Sequence, residues 1–282
     1  MHPDVIRALR CPHCREAFEG LDAGLRCVNG HAFDRARQGY VNLLAGRDVG
    51  TGDNAEMVAA RESLLQSGHF QPLADAIIER LTQDVVGDGL VIEMGAGTGY
   101  YVSRVLDALP SHQGLALDLS RYAARRAARA HPRLAAIVAD AWQRLPLSDA
   151  CASVVLNVFA PRQVDELRRI LRPDGLLVVV TPTPRHLEEL RASLGLIEVD
   201  PDKERRLSEA FSRGFRWVRR EQLEWTLQLE REEVLQLVGM GPSARHLDPE
   251  RLASQVGRLP SPCRVTGSVT IDVLQPSAEL TG

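Results

Sequence analysis

The 282-residue chain is nearly without lysine: Lys203 is the only one among 34 cationic residues, and the rest are arginine. It also lacks a basic balance. With a net charge of -3 and a pI near 6.3, it has no overall positive field of the kind that usually marks a nucleic-acid binder, so any such partner has to be held by local patches. Long apolar runs are missing. None approaches the ~20 residues of a membrane-spanning helix, which sets aside a helical membrane anchor. The opening stretch MHPDVIRALRCPHC has no basic segment followed by an apolar one, which excludes a secretory signal and makes cytoplasmic residence the expectation. The five cysteines do not form a disulfide framework. Cys11, Cys14 and Cys27 cluster in the first 27 residues, while Cys151 and Cys263 lie far off, an odd and uneven set. What the chain does have is 44% hydrophobic and 25% charged residues, the balance of an ordinary folded protein. Disorder throughout is excluded, and the length suits one large domain with a small appendage. The arginine bias follows from a GC-rich genome. It also suits bidentate contacts to phosphates and bases, and both readings stand.

The cysteine cluster reads Cys11-Pro-His-Cys14, twelve residues, then Cys27-Val-Asn-Gly-His31. A two-residue gap lets two thiolates of one turn reach a single ion, and the second pair closes a tetrahedron. Three cysteines and a histidine fill four-coordinate zinc with no open position, so the metal is structural. Gly20, Gly24 and Gly30 supply permissive turns, and Phe18, Leu25 and Phe33 a small core. His13 competes as fourth ligand, but between two cysteines it would strain the turn.

The middle of the chain carries a second signal. Gly89 to Gly99, GLVIEMGAGTG, is an apolar strand ending in a glycine-rich turn, and Tyr100 to Leu109 follows as a helix. The next strand, GLALD, ends in Asp118 about 20 residues on, the spacing of a βαβ unit whose acid takes a ribose diol. A third strand, AAIVAD, ends in Asp140, placed to bond an adenine amino group. The turn is Glu-x-Gly-x-Gly-x-Gly from Glu93, without the G-x-G-x-x-G spacing of dinucleotide enzymes. The series resembles class I S-adenosylmethionine methyltransferases. Strand four is Cys151 to Pro161 with its exit loop. Val164 to Leu171 is a helix stopped by Arg172-Pro-Asp-Gly175, and Leu176 to Thr181 is strand five. A charged helical stretch runs to about Ser208. Glu224 to Leu229 and Gly267 to Leu274 are the last strands, flanking the helix Glu232 to Val238. The expectation is an α/β fold, a Rossmann-like seven-stranded sheet with the ligand at the carboxyl ends of its strands. Ahead of it, Gln38 to Leu44 reads as a β piece, Arg47 to Asn54 as a mobile loop, and Ala55 to Gly68 and Leu73 to Leu81 as helices. Three units follow: 1–37 as a zinc-binding module, to which the family resemblance below adds RNA recognition, 38–84 as linker and helices leading into the catalytic domain, and 85–282 as the methyltransferase domain.

With CPHC…C…H, RQGYVNLL, GDNAEMVAARESLLQSGHFQPLADAI, EMGAGTGYY and TPTPRHL in view, nearly the whole chain resembles one family, the bacterial 23S ribosomal RNA guanine N1-methyltransferases of the RlmA type. The resemblance implies zinc on Cys11, Cys14, Cys27 and His31. It implies S-adenosylmethionine held around Glu93, Gly95, Gly97, Thr98, Gly99, Asp118 and Asp140, with further contacts from Phe70 and His186. Phe70 stands where tyrosine is commoner, which removes a hydroxyl contact. Thr98 replaces a more usual acid, which leaves only its backbone N–H for the methionine carboxylate. The implied substrate is a guanine at nucleotide 745 or 748, in a domain II hairpin of 23S rRNA. Members are often dimeric, which implies a homodimer. The 748 specificity is tied to resistance to tylosin-like macrolides in GC-rich actinobacteria, and the arginine bias favours it.

Guanine N1 carries a proton at neutral pH, so methylation needs a base or a donor that stabilises the O6 oxyanion; base catalysis is worth roughly 100- to 10,000-fold. The loop Asn157-Val-Phe-Ala-Pro-Arg162 sits where class I enzymes hold the target. Phe159 is the expected stacking partner of the base and Arg162 the group facing O6, with ordinary loop packing as the alternative. No acid stands out as the base. Arginines for RNA are Arg10, Arg15, Arg26, Arg35 and Arg37 in the zinc module, the stretch Arg213 to Arg220, and a helix Arg121 to Arg133, each equally readable as a solvated face. A small-molecule methyltransferase with a zinc scaffold is the competing reading, and the mild acidity favours it. A non-catalytic zinc-containing RNA-binding protein is a third. The intact Glu93 to Gly99 turn with Asp118 and Asp140 argues against the third, and the resemblance in knuckle and linker favours RNA.

Overall fold

The computed structural model describes residues 1–21, 23–44, 52–196, 200, 202–241 and 247–277. The loop expected over Arg47 to Asn54 falls for the most part outside the described residues. The N-terminal module is a helix, α1 (Pro3–Ala8), and a three-stranded antiparallel sheet of β1 (Phe18–Leu21), β2 (Gly24–Cys27) and β3 (Ala32–Asp34). Its 3.0 Å bond from the Cys27 N–H to the His31 carbonyl closes the second knuckle.

The body is built on β4 (Val41–Asn42), β5 (Gly89–Met94), β6 (His112–Asp118), β7 (Leu134–Val138), β8 (Ala152–Val158), β9 (Leu171–Pro182), β10 (Phe215–Leu229) and β11 (Cys263–Pro276). Their order is β10-β11-β9-β8-β5-β6-β7-β4. From β9 to β4 all neighbours are parallel, while β11 runs antiparallel to β9 and β10. The parallel strands are buried on both faces, which explains why they read as unbroken apolar runs such as Leu176 to Val180. The edge strand β10 instead alternates exposed and half-buried positions along most of its length.

The sheet has eight strands rather than seven. Residues 41–42, assigned above to a linker, pair with Ile137 and Val138 of β7 and extend the sheet. Other boundaries shift for a common reason, which is pairing with a distant segment. The register from Phe215↔Pro276 to Leu229↔Cys263 makes β10 and β11 much longer than the expected 224–229 and 267–274. β9 begins at Leu171 and absorbs the Arg172 to Gly175 stop signal. The helix expected over Arg121 to Arg133 ends at Ala127.

On one face lie α2 (Ala55–Gln66), α3 (Gln71–Asp84), α4 (Tyr100–Ala108), α5 (Arg121–Ala127), α7 (Glu188–Leu194), α9 (Arg231–Gly239) and α10 (Pro249–Val256). Local chemistry starts several of them. The Asn54 side chain accepts the Met57 N–H at 2.8 Å, Ser120 caps α5, and Glu230 and Glu233 close a capping box on α9. In α3, Leu73, Ala74, Ile77 and Leu81 recur at helical spacing and are all buried. On the other face lie α1, the zinc module, α6 (Val164–Ile170) and α8 (Lys203–Phe211). Val5, Leu9, Cys11, Phe18 and Leu25 share one core with Leu90, Leu115, Leu145 and Leu147. The Arg10 N–H bonds the Pro146 carbonyl at 2.9 Å, the Ser148 N–H the Ala8 carbonyl at 2.8 Å, and Arg15 the Leu145 carbonyl at 2.7 Å. The metal module is thus docked on the back of the sheet.

Candidate functional site

The site grows from the turn after β5. Gly95 and Gly97 have φ of +61° and +55°, the left-handed region where side chains are strained. There is no room for side chains either, since a Cβ on Gly95 would lie 2.8 Å from that of Ala160, and one on Gly97 3.2 Å from Arg61 Cδ. Two buried carboxylates fix the turn. Asp118, at the end of β6, accepts the Gly97 N–H and the Ser120 N–H, both at 2.8 Å. Glu93 accepts the Val102 N–H from the first turn of α4 at 3.0 Å. Burial raises the pKa of Asp118 and pushes that of Glu93 up to about 8.

A cleft of about 630 Å³ opens over this turn, within the usual range of small-ligand sites. It is lined by Phe70, Glu93, Gly95, Gly97, Asp118, Asp140 and Phe159 among the residues singled out in the sequence. Thr98 and Gly99 lie behind it. Gly99 starts α4 with φ of +79°, and Thr98 faces a separate groove with Glu62, Arg104 and Arg126. His186 is not among the lining residues but stands next to one, its ring 5.6 Å from that of Phe159. Its Nδ1 accepts the Ser268 N–H at 3.1 Å, and burial with the nearby Arg191 charge lowers its pKa to about 4. The ring is therefore neutral at pH 7 and keeps its proton on Nε2.

Two members of the expected target pocket turn away. Asn157 is fully buried in β8 and donates from Nδ2 to the Pro161 carbonyl at 2.9 Å. Arg162 does not line the cleft. Burial lowers its pKa, and the Asp272 charge partly offsets that. Asp272 sits two strands from Asn157 in register, through Val179, and Val179 belongs to the core shared with the zinc module. These groups therefore share the back face of the sheet rather than the cleft. A guanidinium facing O6 is corrected on this geometry. Phe159 does face the cleft, 41% exposed, with φ of +54°.

Several cleft residues were not foreseen. Trp142 lines the mouth at 59% exposure, its N–H held by Asp140 Oδ1 at 2.9 Å. Its position two residues after a strand-ending acid was the available signal. Trp225 on β10 stands 5.9 Å from Phe70 and 6.4 Å from His186 and donates to the His69 carbonyl at 2.8 Å. Only the long β10–β11 pairing brings it there, so no local signal pointed to it.

The arginines proposed for RNA are mostly engaged within the protein. Arg15 is bonded to Leu145, Arg133 to the Leu109 carbonyl at 2.9 Å, Arg126 to Glu62, Arg216 to Gln275, and Arg220 to Asp272. Arg26, Arg35 and Arg37 are exposed on the zinc module.

In that module the ligand atoms of Cys11, Cys14, Cys27 and His31 lie within 4.8 Å of one another. Cys14 Sγ and Cys27 Sγ are 3.6 Å apart, and His31 Nδ1 is 3.3 Å from Cys27 Sγ and 3.6 Å from Cys11 Sγ. A tetrahedral zinc with ordinary bond lengths needs edges of about 3.5–3.8 Å, so the four donors fit the ion. His13 stacks on Phe33 instead, 5.7 Å away.

Fold and site together define a zinc-ribbon protein built on a class I S-adenosylmethionine-dependent methyltransferase. Residues 9–47 match the zinc-ribbon family model described as "RlmA, N-terminal", and residues 91–175 match a methyltransferase-domain model. The chain is 48% identical to the 23S rRNA (guanine(748)-N(1))-methyltransferase of Streptomyces fradiae, over 98% of this chain and 99% of that one. A protein of Micromonospora griseorubida named for guanine N1-methylation of 23S rRNA is 50% identical over 98% of this chain and 100% of its own. The chain belongs to the 23S rRNA guanine N1-methyltransferase family, whose methyl donor is S-adenosylmethionine and whose ribbon holds zinc. A malonyl-[acyl-carrier protein] O-methyltransferase of Nitrosospira multiformis is 29% identical over 42% of this chain and 47% of that one. Among solved structures, a protein of Anabaena variabilis described as a methyltransferase from an antibiotic biosynthesis pathway matches with a TM-score of 0.50 and 17% identity, over 71% of this chain and 96% of that one. That likeness concerns the fold alone.

Two measurements probe this site. Cys27→Ser should release zinc, seen by metal analysis, and abolish RNA methylation. S-adenosylhomocysteine binding should persist, because the ribbon sits on the sheet face away from the cleft; lost affinity would contradict that separation. The second concerns Glu93. Its folded pKa of about 8 lies above the ordinary 4.5, so between these values the folded state binds more protons than the unfolded chain. Its contribution is most favourable below pH 4.5 and is lost as pH rises through 8. Glu93→Gln keeps an acceptor for Val102 and removes the titration. Denaturation followed from about pH 5.5 to 8.5 should show stability falling less steeply for the variant, by up to about 1.4 kcal/mol per pH unit, the slope that one differentially bound proton gives. Parallel curves would reject the raised pKa.

Proposed function

We propose that the protein methylates N1 of guanine 748 in a domain II hairpin of 23S rRNA, acts in the cytoplasm as a homodimer, and confers resistance to tylosin-like macrolides. The observation that carries this reading is the extent of the kinship. It runs through ribbon, linker and catalytic body alike with the S. fradiae enzyme, whereas the acyl-carrier-protein methyltransferase of N. multiformis shares less than half of the chain. A small-molecule substrate would leave the ribbon without a task.

In this reading residues 1–37 grip the RNA hairpin, 38–84 join grip to body, and 85–282 carry the reaction. Phe70, Gly95, Gly97, Asp118 and Asp140 hold the cofactor, Asp118 at the ribose and Asp140 at the adenine. Glu93 fixes the turn from the cleft itself, Thr98 and Gly99 from behind it, and His186 acts from beside Phe159. When bound, S-adenosylmethionine supplies a methyl group to guanine N1 and leaves as a neutral thioether. The chain's own contribution is alignment and exclusion of water. Phe159 and Trp142, the exposed aromatics at the mouth, sandwich the extruded base; RNA recognition favours such splayed, stacked loop bases. The neutral His186 presents its Nε2–H beside Phe159, where a hydrogen bond to O6 eases loss of the N1 proton to solvent.

Reverse-transcription stops and mass spectrometry on 23S rRNA from cells with and without the gene should reveal one N1-methylguanine, at 748. A modification at 745, or none, overturns the assignment. Phe159→Ala should cut methylation of hairpin RNA by roughly 5- to 100-fold, the worth of one base–aromatic stack of ~1–3 kcal/mol, with S-adenosylhomocysteine affinity unchanged. Equal losses in both would place Phe159 at the cofactor instead.

A further inference from the structure

The cleft is strongly one-sided in charge. Among the described residues lining it, Asp53, Asp118 and Asp140 are acids, Glu93 is a carboxyl whose raised pKa keeps it largely protonated at pH 7, and Arg61 is the one arginine or lysine. An amino-acid head group entering such a cleft has no difficulty with its ammonium, but its carboxylate meets only negative neighbours unless a cation takes it. We propose that Arg61, in α2, binds the carboxylate of the cofactor's methionine moiety. The inference rests on the reading of this cleft as the S-adenosylmethionine site and adds a residue to it.

Position comes first. The Arg61 side chain lies along the glycine turn, with Cδ 3.2 Å and Nη1 3.6 Å from where a Gly97 Cβ would stand. Its charge is felt by both Asp118 and Tyr101. Guanidinium orientation is set in advance. Nη1 meets the Asp53 carboxylate, and Nη2 donates to the Met240 carbonyl at 2.7 Å. Asp53 is anchored in turn, since its backbone carbonyl accepts the Ser120 hydroxyl at 2.6 Å. The Arg61 and Asp53 side chains are only 24% and 22% exposed, so the pair is weakly screened and its fork is held still. Arg61 lines the cleft, and a guanidinium with N–H donors left over suits a carboxylate. Asp53, whose charge Arg61 otherwise balances, is left to face the ammonium of the same zwitterion.

A purely structural role, stapling the start of α2 to the end of α9, would move all ligands alike. Two ligands separate the cases. S-adenosylhomocysteine carries the amino-acid group, whereas 5′-methylthioadenosine has the same adenosine and thioether without it. Calorimetry on the full-length zinc protein should show Arg61→Gln weakening S-adenosylhomocysteine by about tenfold or more, the scale of a lost charged hydrogen bond, with 5′-methylthioadenosine shifted less than about twofold. Arg61→Lys, which keeps the charge without the fork, should fall between and serves the same comparison if the glutamine variant does not fold. Equal weakening of both ligands, or no change in either, overturns the inference. If the unaltered protein binds neither ligand, the cofactor reading beneath it falls as well.

Discussion

Two carboxylates buried behind one glycine turn set the shape of everything in front of it. Asp118 ties the end of β6 to Gly97 and to the start of α5, and Glu93 ties the end of β5 to α4. Hydrogen bonds to charged groups are worth roughly 1.5–3 kcal/mol each, but burial works against the charge, which is why both groups have raised pKa values. The balance leaves a turn that is rigid and bare, with its surface lined by backbone rather than side chains. A ligand can lie directly on such a surface, and the absence of a Cβ at Gly97 is also what lets Arg61 close over it.

The second constraint is the continuous core behind the sheet. Leu9 and Leu147 are fully buried and bridge ribbon to body, and the ribbon's apolar residues belong to the same cluster as Leu90 and Leu115. A ribbon of this size has too little interior of its own to be stable without metal, so zinc fixes its shape while the sheet fixes its place. On the proposed reading, an RNA hairpin gripped by the ribbon is then held at a set distance and angle from the cleft. The cleft draws its buried aromatic residues, Phe70 and Tyr101, from the core on the opposite face, which keeps metal site and cofactor site mechanically separate.

Signals within a few residues of one another were legible in the sequence. The Cys11/Cys14/Cys27/His31 spacing, the Glu93 to Gly99 turn and the acids ending β6 and β7 all depend on local geometry, and the structure brings each group together as the spacing required. What depended on distant pairing was not legible. Val41 and Asn42 gave no hint of their seat at the sheet edge beside β7, nor Trp225 of its place between Phe70 and His186. Arg162 follows a left-handed residue and a proline in a loop, and its burial away from the cleft comes from packing that no local signal reports. Arg61, inside a helix 36 residues before Gly97 in the chain, gave no local sign of its place against that glycine.

The charge distribution finally bears on how a polyanion is handled. The cleft is acidic, and most arginines that could have met phosphate are engaged with carbonyls or carboxylates of the protein itself. Phosphate contacts supply affinity without sequence information. An acidic cleft therefore repels backbone and favours a base presented by its uncharged face, and on the proposed reading Trp142 and Phe159, which line the cleft, receive it. Outside the cleft, the ribbon carries the exposed Arg26, Arg35 and Arg37, and the proposed reading puts the phosphate grip there. On the proposed reading, selection of the guanine is geometric: the ribbon fixes where the hairpin sits, and only a base that swings out at the right distance reaches the methyl donor.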